Sequence, residues 1–191
     1  MELWQTVLDF WFGFAGGDPG SGARQRWFAK DAEFDRLVAE RFSVLYRAVS
    51  GGEREDWLNE PRAALAYIVV CDQFPRNMFR RSPAAFASDG RALAAARIVA
   101  GRRWDEKMPP RERVFAYMPY QHAEDLRCQY IALELFRGLL GCPSTRSFFD
   151  SARRHFHVIA RFGRFPHRNA ILGRASTSAE MAFLRQHGSR F

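Results

Sequence analysis

Apolar residues recur at intervals of three and four along almost the whole chain, which is the period of an amphipathic α-helix. No segment alternates apolar and polar residues as a half-buried β-strand does. Proline, glycine and capping residues interrupt the pattern often enough to predict seven to nine helices joined by short connections. Short connections are typical of antiparallel neighbours. The pattern therefore predicts an all-α fold of packed helical hairpins with no sheet, in one domain spanning residues 1–191.

Individual residues predict where these helices begin and end. Asp31 and Ser88 are placed to act as N-caps, and Thr177 and Glu180 form a capping box before the last helix. Pro75 must end or kink the helix in which it lies. Further predictions are a flexible glycine-rich loop at 16–22, a long helix from about 121 to 140, a helix from about 145 to 162, and an Arg/His-rich loop at 163–176 before the last helix.

The composition adds a charge asymmetry to this picture. The 191 residues are 47% apolar and 26% charged, which is ordinary for a globular protein and excludes a disordered chain. The formal net charge is +8, and residues 146–191 carry +7 of it, because nine arginines there face only Asp150 and Glu180. Of the 29 basic residues, 27 are arginine. This preference reflects either the base composition of the genome or a use of guanidinium groups to bind carboxylates or phosphates.

Cysteine usage and hydropathy favour a cytoplasmic location. The three cysteines are an odd number without CxxC spacing, which argues against a disulfide framework or a zinc knuckle. The first residues lack the basic leader and cleavage site of a secretory signal. No apolar run approaches the roughly 20 residues of a membrane span. We therefore expect a reducing cytoplasm and no membrane association.

Polar residues interrupt the apolar pattern in three segments, of which the first is LAYIVVCDQFPRN at 65–77. Asp72 follows an apolar run, and a carboxylate near the core needs hydrogen bonds or a cation, or it takes up a proton. Gln73, Arg76 and Asn77 come directly after it. These four residues either belong to a binding site or only close a helix end at Pro75.

The second segment is YMPYQHAEDLRCQ at 117–129. On the long predicted helix, His122, Asp125 and Gln129 share one stripe, and Glu124 lies beside them. A carboxylate at this spacing can select the tautomer of an imidazole, which predicts that Asp125 orients His122 as a general acid–base. The alternative is that Glu124 and Asp125 only favour the positive end of the helix.

The third segment is RRHFHVIARFGRFPHRNAILGRAST at 153–177. His155 lies on the predicted apolar face of its helix, where it is either a core residue or, backed by Asp72, a second candidate acid–base. Guanidinium groups beside exposed backbone N–H groups form an anion site. The loop after Gly163 carries the residues suited to such a site, which are Arg164, His167, Arg168, Asn169 and Arg174.

The first and third segments contain an internal echo. FPRN at 74–77 and FPHRN at 165–169 both follow a long helix. One interpretation is a shared way of ending a helix, in which the aromatic ring anchors in the core, proline prevents continuation, and Arg and Asn bind the unpaired carbonyls. The other interpretation is that the two corners face one another and line a single pocket.

Other site chemistries have little support. No Gly-rich phosphate loop, HExxH or GxSxG motif is present. Histidines and acids from the three segments could in principle bind a metal, but ligands scattered over three loops are a weak signal, so no metal and no cofactor is predicted. The local charge favours nucleic acid. However, the arginines at 161–174 alternate with Phe, Pro and Ile instead of following one solvated helix face, so no nucleic-acid partner is expected.

Six sequence blocks carry a family resemblance: VLDFWFG, RWFAKDAEFD, DQFPRNMFR, YMPYQHAEDLRCQ, HFHVIARFGRFPHRN and LGRAST, in order from about Val7 to Leu184. They resemble the signature blocks of the bacterial family called domain of unknown function 924. The resemblance implies an all-α fold similar to tetratricopeptide-repeat proteins, and it implies no catalytic residue. The chain departs from the family pattern at Ala123 and Cys128, where a serine and an acid are expected, so no role is expected for a hydroxyl or a second acid there. The motif positions carried over are Asp72, Gln73, Arg76, Asn77, His122, Glu124, Asp125, His155, Arg164, His167, Arg168 and Asn169.

Three functional hypotheses follow. The first is a pocket for a small anionic ligand or an acidic peptide end, contacted by arginines and histidines of the three segments: Arg76, Arg164, Arg168, His122, His155 and His167. The second is an enzyme that uses a His/Asp pair as general acid–base on such an anion. The third is a protein–protein interaction module whose motifs only pack. The first two require the segments to converge on open space. The sequence does not predict an oligomeric state.

Overall fold

All regular structure in the described part of the chain is helical. The computed structural model describes residues 2–13, 27 and 30–189, and within them there are eight α-helices and no β-strand, which confirms the all-α prediction. The loop predicted at 16–22 lies outside the described residues. The helices are α1 Leu3–Phe12, α2 Ala32–Ser50, α3 Pro61–Ile68 continued by a π-helical turn Val69–Gln73 and by Phe74–Met78, α4 Asp89–Gly101, α5 Pro110–His122, α6 Leu126–Arg137, α7 Arg146–Phe162 and α8 Ser178–Leu184.

Helix α3 is the centre of the core. Helices α1, α2, α4 and α5 pack around it, and aromatic rings fill the space between them. Trp11 meets Phe115 edge-on at a centroid distance of 5.6 Å, and Phe42 stacks on Phe74 at 4.7 Å. Helices α6 and α7 continue the stack from α5, and α8 covers the end of α7, where Phe183 packs on Phe162. The three polar segments meet where α3, α5 and the loop after α7 approach each other.

Several predicted helix ends are confirmed. The Asp31 carboxylate accepts hydrogen bonds from the backbone of Glu33 and Phe34 at the start of α2. The capping box of Thr177 and Glu180 is present at the start of α8. Helix α7 ends before Gly163, whose φ of 69° is a left-handed conformation that favours glycine.

Pro75 changes the form of α3 without ending it. A proline has no N–H, so the carbonyl of Cys71 one turn earlier loses its helical donor. The chain forms a π-helical turn there, in which the N–H of Phe74 bonds to the carbonyl of Val69. Ser88, predicted as a cap of α4, instead donates its hydroxyl to the Cys71 carbonyl at 2.7 Å. The buried carbonyl is therefore satisfied, and the helix continues to Met78.

The long helix predicted from about 121 to 140 is wrong. Helix α5 runs through Pro119 to His122, and a new helix, α6, begins at Leu126. Asp125 stands between them in an extended conformation and caps α6 by accepting a hydrogen bond from the N–H of Cys128 at 2.8 Å. The buried Gln129 amide donates to the carbonyls of residues 121 and 123, each at 2.8 Å, which satisfies the end of α5. The break therefore has its own hydrogen bonds.

Two further predictions have different outcomes. Consecutive helices from α3 to α7 pack against each other, as hairpins require, whereas the specific likeness to tetratricopeptide repeats stays a prediction. None of the helices in the described ranges combines the length and the apolar composition needed to cross a membrane.

We expect Ser88→Ala to lower the free energy of unfolding by about 1–3 kcal/mol, because it leaves the buried Cys71 carbonyl without a donor. Chemical denaturation measures this change. In a Pro75→Ala background, residue 75 has an N–H that can bond to the same carbonyl, so Ser88→Ala should cost clearly less. Equal costs in the two backgrounds would contradict the role assigned to Ser88.

Candidate functional site

Asp72 is a fully buried carboxylate (0% exposed) in the π-helical turn of α3. Its Oδ1 lies 2.7 Å from His122 Nδ1 and 3.3 Å from Arg76 Nη1, and its Oδ2 accepts a hydrogen bond from the Gln73 amide. Burial disfavours the ionised form, but Arg76 and His122 outweigh burial and lower the pKa of the carboxyl. Asp72 therefore has the cation and the hydrogen bonds that a core carboxylate requires.

His122 is the last residue of α5, and its imidazole is oriented by Asp72 rather than by Asp125. Because Asp72 is ionised, Nδ1 is the ring nitrogen that donates to it. Burial lowers the pKa of His122 although Asp72 opposes this shift, so the ring is neutral at pH 7. The predicted pairing of His122 with Asp125 is wrong, since the helix break turns Asp125 away to cap α6.

Asp89, in the first turn of α4, connects the FPRN segment at 74–77 with the FPHRN segment at 165–169, which we call the two FP corners. Its carboxylate accepts two hydrogen bonds from Arg76, at 2.8 and 3.0 Å, and lies 3.3 Å from Nη1 of Arg168. The same two guanidinium groups lie over the ring of Phe86, at 5.7 Å for Arg76 and 4.5 Å for Arg168. The FPRN and FPHRN corners therefore face one another across Asp89 and Phe86.

Of the two arginines that contact Asp89, Arg168 makes fewer hydrogen bonds than Arg76. It is only 7% exposed, and besides Asp89 its guanidinium donates to the carbonyl of His122 at 3.1 Å. Its buried Nε has no hydrogen-bond partner among the described residues. Burial and then the charge of Arg76 lower the pKa of Arg168 to about 10, so it is still cationic at neutral pH. Arg168 thus has donor capacity that the protein does not use.

A cleft of about 360 Å³ opens beside these groups. His122, Glu124, Asp89 and Arg168 supply its polar lining. The rest of the lining is mostly apolar: Pro83, Phe86, Ala87, Gly90, Leu93, Pro119, Ala123 and Leu172. A concave site with an apolar lining and a few converging polar groups is typical of small-molecule sites. Residues of the second and third sequence segments reach this cleft, whereas no residue of the first segment, 65–77, is part of its lining.

His155 and His167 lie behind the cleft. The His155 ring is 6.2 Å from the ring of His122, and its Nδ1 contacts the carbonyl of Ser151 at 2.9 Å. Burial and then His122 place the pKa of His155 well below its usual value, and burial and then Arg168 lower the pKa of His167 to about 4. Asp72 bonds to His122 and not to His155, so the predicted support of His155 by Asp72 is wrong.

Glu124 ties the loop after α7 to the end of α5. It accepts two hydrogen bonds from Arg174, at 2.6 and 2.9 Å, and one from the N–H of Phe165 at 2.8 Å. Burial opposes ionisation of Glu124, but the bonds from Arg174 and the Phe165 N–H together outweigh burial and lower the pKa of the carboxyl. Both residues were predicted to bind ligand, and the structure shows that they pair with each other.

Three other predicted site residues support the surrounding fold. Arg164 makes a two-point ion pair with Glu180, at 2.7 and 2.8 Å, at the start of α8. The buried Asn169 amide donates to the hydroxyl of Ser176 at 3.0 Å in the same loop. Asn77 donates to Asp35 of α2 at 2.8 Å. With Asp125 and Gln129, which stabilise the break between α5 and α6, these residues hold elements together outside the cleft.

The exposed face of α7 changes the premise of one expectation. Nucleic-acid binding was set aside because the arginines at 161–174 alternate with Phe, Pro and Ile. The structure shows a solvated basic face on α7, formed by the exposed residues Arg146, Arg153, Arg154 and Arg161.

The cleft brings together a proton-transfer group and a cation. His122 can exchange a proton at Nε2, because Nδ1 is held by Asp72, and Arg168 can stabilise a negative charge. Within residues 2–13, 27 and 30–189, no three His, Cys, Asp or Glu side chains are grouped as metal ligands.

The sequence reasoning missed Asp89 and Phe86. Asp89 follows Ser88 at a predicted helix start, where an acidic residue is expected for the helix alone. Its other role depends on two arginines that are 13 and 79 residues away in the chain. No local signal marks such a contact.

Comparison with known proteins identifies the family of this chain. The profile of a family described as bacterial protein of unknown function (DUF924) matches residues 7–188. The chain belongs to the DUF924 family. A solved structure, that of the protein of unknown function ATU0120 from Agrobacterium tumefaciens, is 37% identical to this chain, and the match covers 96% of this chain and 97% of that one with a TM-score of 0.84. No functionally curated protein gives a significant match.

We expect Asp72→Asn to lower the pKa of His122 further, because the carboxylate favours the protonated imidazole. As the pKa of His122 in the folded protein already lies below its unfolded value of 6.5, its contribution to stability is present above pH 6.5 and is lost as the pH falls from there through the folded-state pKa. NMR titration of the His122 ring follows the change. Asp125→Asn is the matched control and should leave this titration in place; an equal shift in both variants would contradict the assignment.

Proposed function

We propose that the cleft binds a small anionic ligand, or the carboxylate of an acidic peptide end, and that Arg168 contacts the anion. The observation that supports this most is Arg168, a nearly buried cation that lines the cleft and makes only two side-chain hydrogen bonds with the described residues. A carboxylate or phosphate in the cleft would accept a further, charge-assisted bond from this guanidinium.

His122 supplies the second polar contact of the proposal. Asp72 holds its Nδ1, so Nε2 is the nitrogen left to bond to a ligand. Arg76 lies behind Asp89 and completes the charge balance of the site without being its main ligand contact. Arg164 is excluded from the anion contact because Glu180 occupies it outside the cleft.

The volume and the apolar lining of the cleft indicate the size and the polarity of its ligand. A cleft of about 360 Å³ suits a small molecule with an apolar part and one anionic group. Asp89 and Glu124 also line it, but both are already paired with arginines, so they repel an anion less than free carboxylates would. The three cysteines are free thiols, which agrees with the reducing cytoplasm that is part of this proposal.

A second candidate function is general acid–base catalysis on the bound anion. The observation that favours it is the Asp72–His122 pair at 2.7 Å, since a buried carboxylate that selects the imidazole tautomer is a common arrangement in proton-transfer sites. The NMR titration above tests its premise, because a His122 protonated at neutral pH could not act as a base. A purely packing role for the motifs has less support, because it requires every donor to be satisfied and no cavity.

We expect Gly90→Phe to abolish ligand-dependent stabilisation without disturbing any ion pair. Gly90 lines the cleft, and a Cβ added there meets no atom within 4 Å, so the ring enters open space. The measurement is a thermal shift of wild type and variant with a panel of carboxylates, phosphate esters and peptides with acidic C-termini. A ligand that binds only the folded state raises the melting temperature, and the stabilisation grows with the logarithm of the ligand excess over Kd.

The matched control for this experiment is Gly101→Phe at the other end of α4. A Cβ there also meets no atom within 4 Å, and the residue does not line the cleft. It should respond to ligand as wild type does. If no anion stabilises wild type, or if Gly90→Phe still responds, the proposed function is wrong.

A further inference from the structure

The exposed face of α7 is strongly basic. Its residues form one stripe opposite the buried His155 and Ile159, and we call it the α7 stripe. Asp150 is the one acidic residue of α7, and its contact with Arg153 at 3.8 Å joins two exposed side chains, so it contributes little. The basic members of the α7 stripe are Arg146, Arg153, Arg154, His157 and Arg161.

The ion pairs of the structure show where the excess charge of the C-terminal quarter lies. The arginines of the loop after α7 are neutralised by acids: Arg164 by Glu180, Arg168 by Asp89, and Arg174 by Glu124. Arg146, Arg154 and Arg161 form no ion pair with the described residues. The positive charge that the sequence locates in residues 146–191 is therefore displayed mainly by the α7 stripe.

The spacing of the stripe suits an extended polyanion rather than a single anion. Arg153, His157 and Arg161 follow each other at intervals of four residues, which is about 6 Å along the helix axis. The four arginines run from Arg146 to Arg161 and cover a length of about 22 Å. A small anion could contact only one or two of them at once.

An aromatic pair flanks the stripe. Tyr130 of α6 is 55% exposed and meets Phe156 of α7 edge-on at a centroid distance of 4.9 Å. An exposed aromatic ring beside guanidinium groups is the combination on which unpaired bases stack while their phosphates are neutralised. An acidic polypeptide would use the arginines but would gain nothing comparable from the rings.

We propose that the α7 stripe and Tyr130 form a binding surface for single-stranded nucleic acid, independent of the cleft. The arginines neutralise successive phosphates, and the Tyr130–Phe156 pair offers a ring to a base. Recognition is by backbone charge and stacking and therefore has little dependence on base sequence.

The test measures fluorescence anisotropy of a labelled oligouridylate of about 16 nucleotides with the full chain, between about 50 and 200 mM salt. We expect Arg153→Gln/Arg154→Gln/Arg161→Gln to weaken binding at least about tenfold. It should also reduce the slope of log K against log salt by about 2, because each phosphate contact contributes about 0.7. Tyr130→Ser should weaken oligouridylate binding about fivefold and leave binding of inorganic polyphosphate unchanged.

The control is Arg36→Gln/Arg47→Gln/Arg102→Gln, which removes the same charge from exposed positions outside α7. It should change the affinity less than about twofold, since those arginines lie outside the binding surface. The proposal is overturned if wild type does not bind the oligonucleotide at low salt, or if the control weakens binding as much as the α7 variant. It is also overturned if polyglutamate of equal charge competes as well as unlabelled oligouridylate, which would indicate an acidic polypeptide as partner.

Discussion

The carboxylate of Asp89 is the point on which the geometry of the cleft depends. It accepts bonds from arginines of two separate corners, and those arginines share the ring of Phe86. Two cations so close together repel each other unless an anion lies between them. Asp89 supplies that anion and joins the corner at 74–77, within α3, to the corner at 165–169, after α7.

The Asp72–His122 pair depends on the same arrangement. Arg76 contacts both Asp72 and Asp89, so it links the buried acid of α3 to the acid at the start of α4. Breaking one member of such a buried network leaves a charge uncompensated, which costs far more than the loss of a surface pair. A buried network of paired charges also has few alternative arrangements. It therefore holds the His122 ring and the Arg168 guanidinium in fixed positions at the wall of the cleft.

The sequence predicted those parts of the fold that local physics determines. The Asp31 cap, the Thr177–Glu180 capping box and the glycine that ends α7 each act within one helical turn, and all are present. The prediction of one long helix at 121–140 failed because periodicity alone does not show the break at 123–125 between α5 and α6. The sequence pointed to candidate residues by their chemical type, but it did not predict which residues bond to them.

The partners could not be predicted because they are distant in the chain. Asp72 and His122 are 50 residues apart, whereas Asp125, the partner expected from spacing, is local. The same holds for the distribution of charge. The sequence locates an excess of positive charge in the last quarter of the chain, but only the structure shows which of those arginines pair with acids and which are exposed. Arg168 and Arg174 pair with acids that are distant in the chain, whereas the arginines of α7 are exposed to solvent.

If Asp89 holds both FP corners at once, its effect is visible in the hydrogen exchange of Asp89→Asn against wild type. The asparagine keeps the size of the side chain but removes the charge between Arg76 and Arg168. We expect faster amide exchange in both corners, at 74–78 and at 163–174, with the exposed variant Asp150→Asn unchanged. Loss of protection at one corner alone, or at neither, would contradict this role of Asp89.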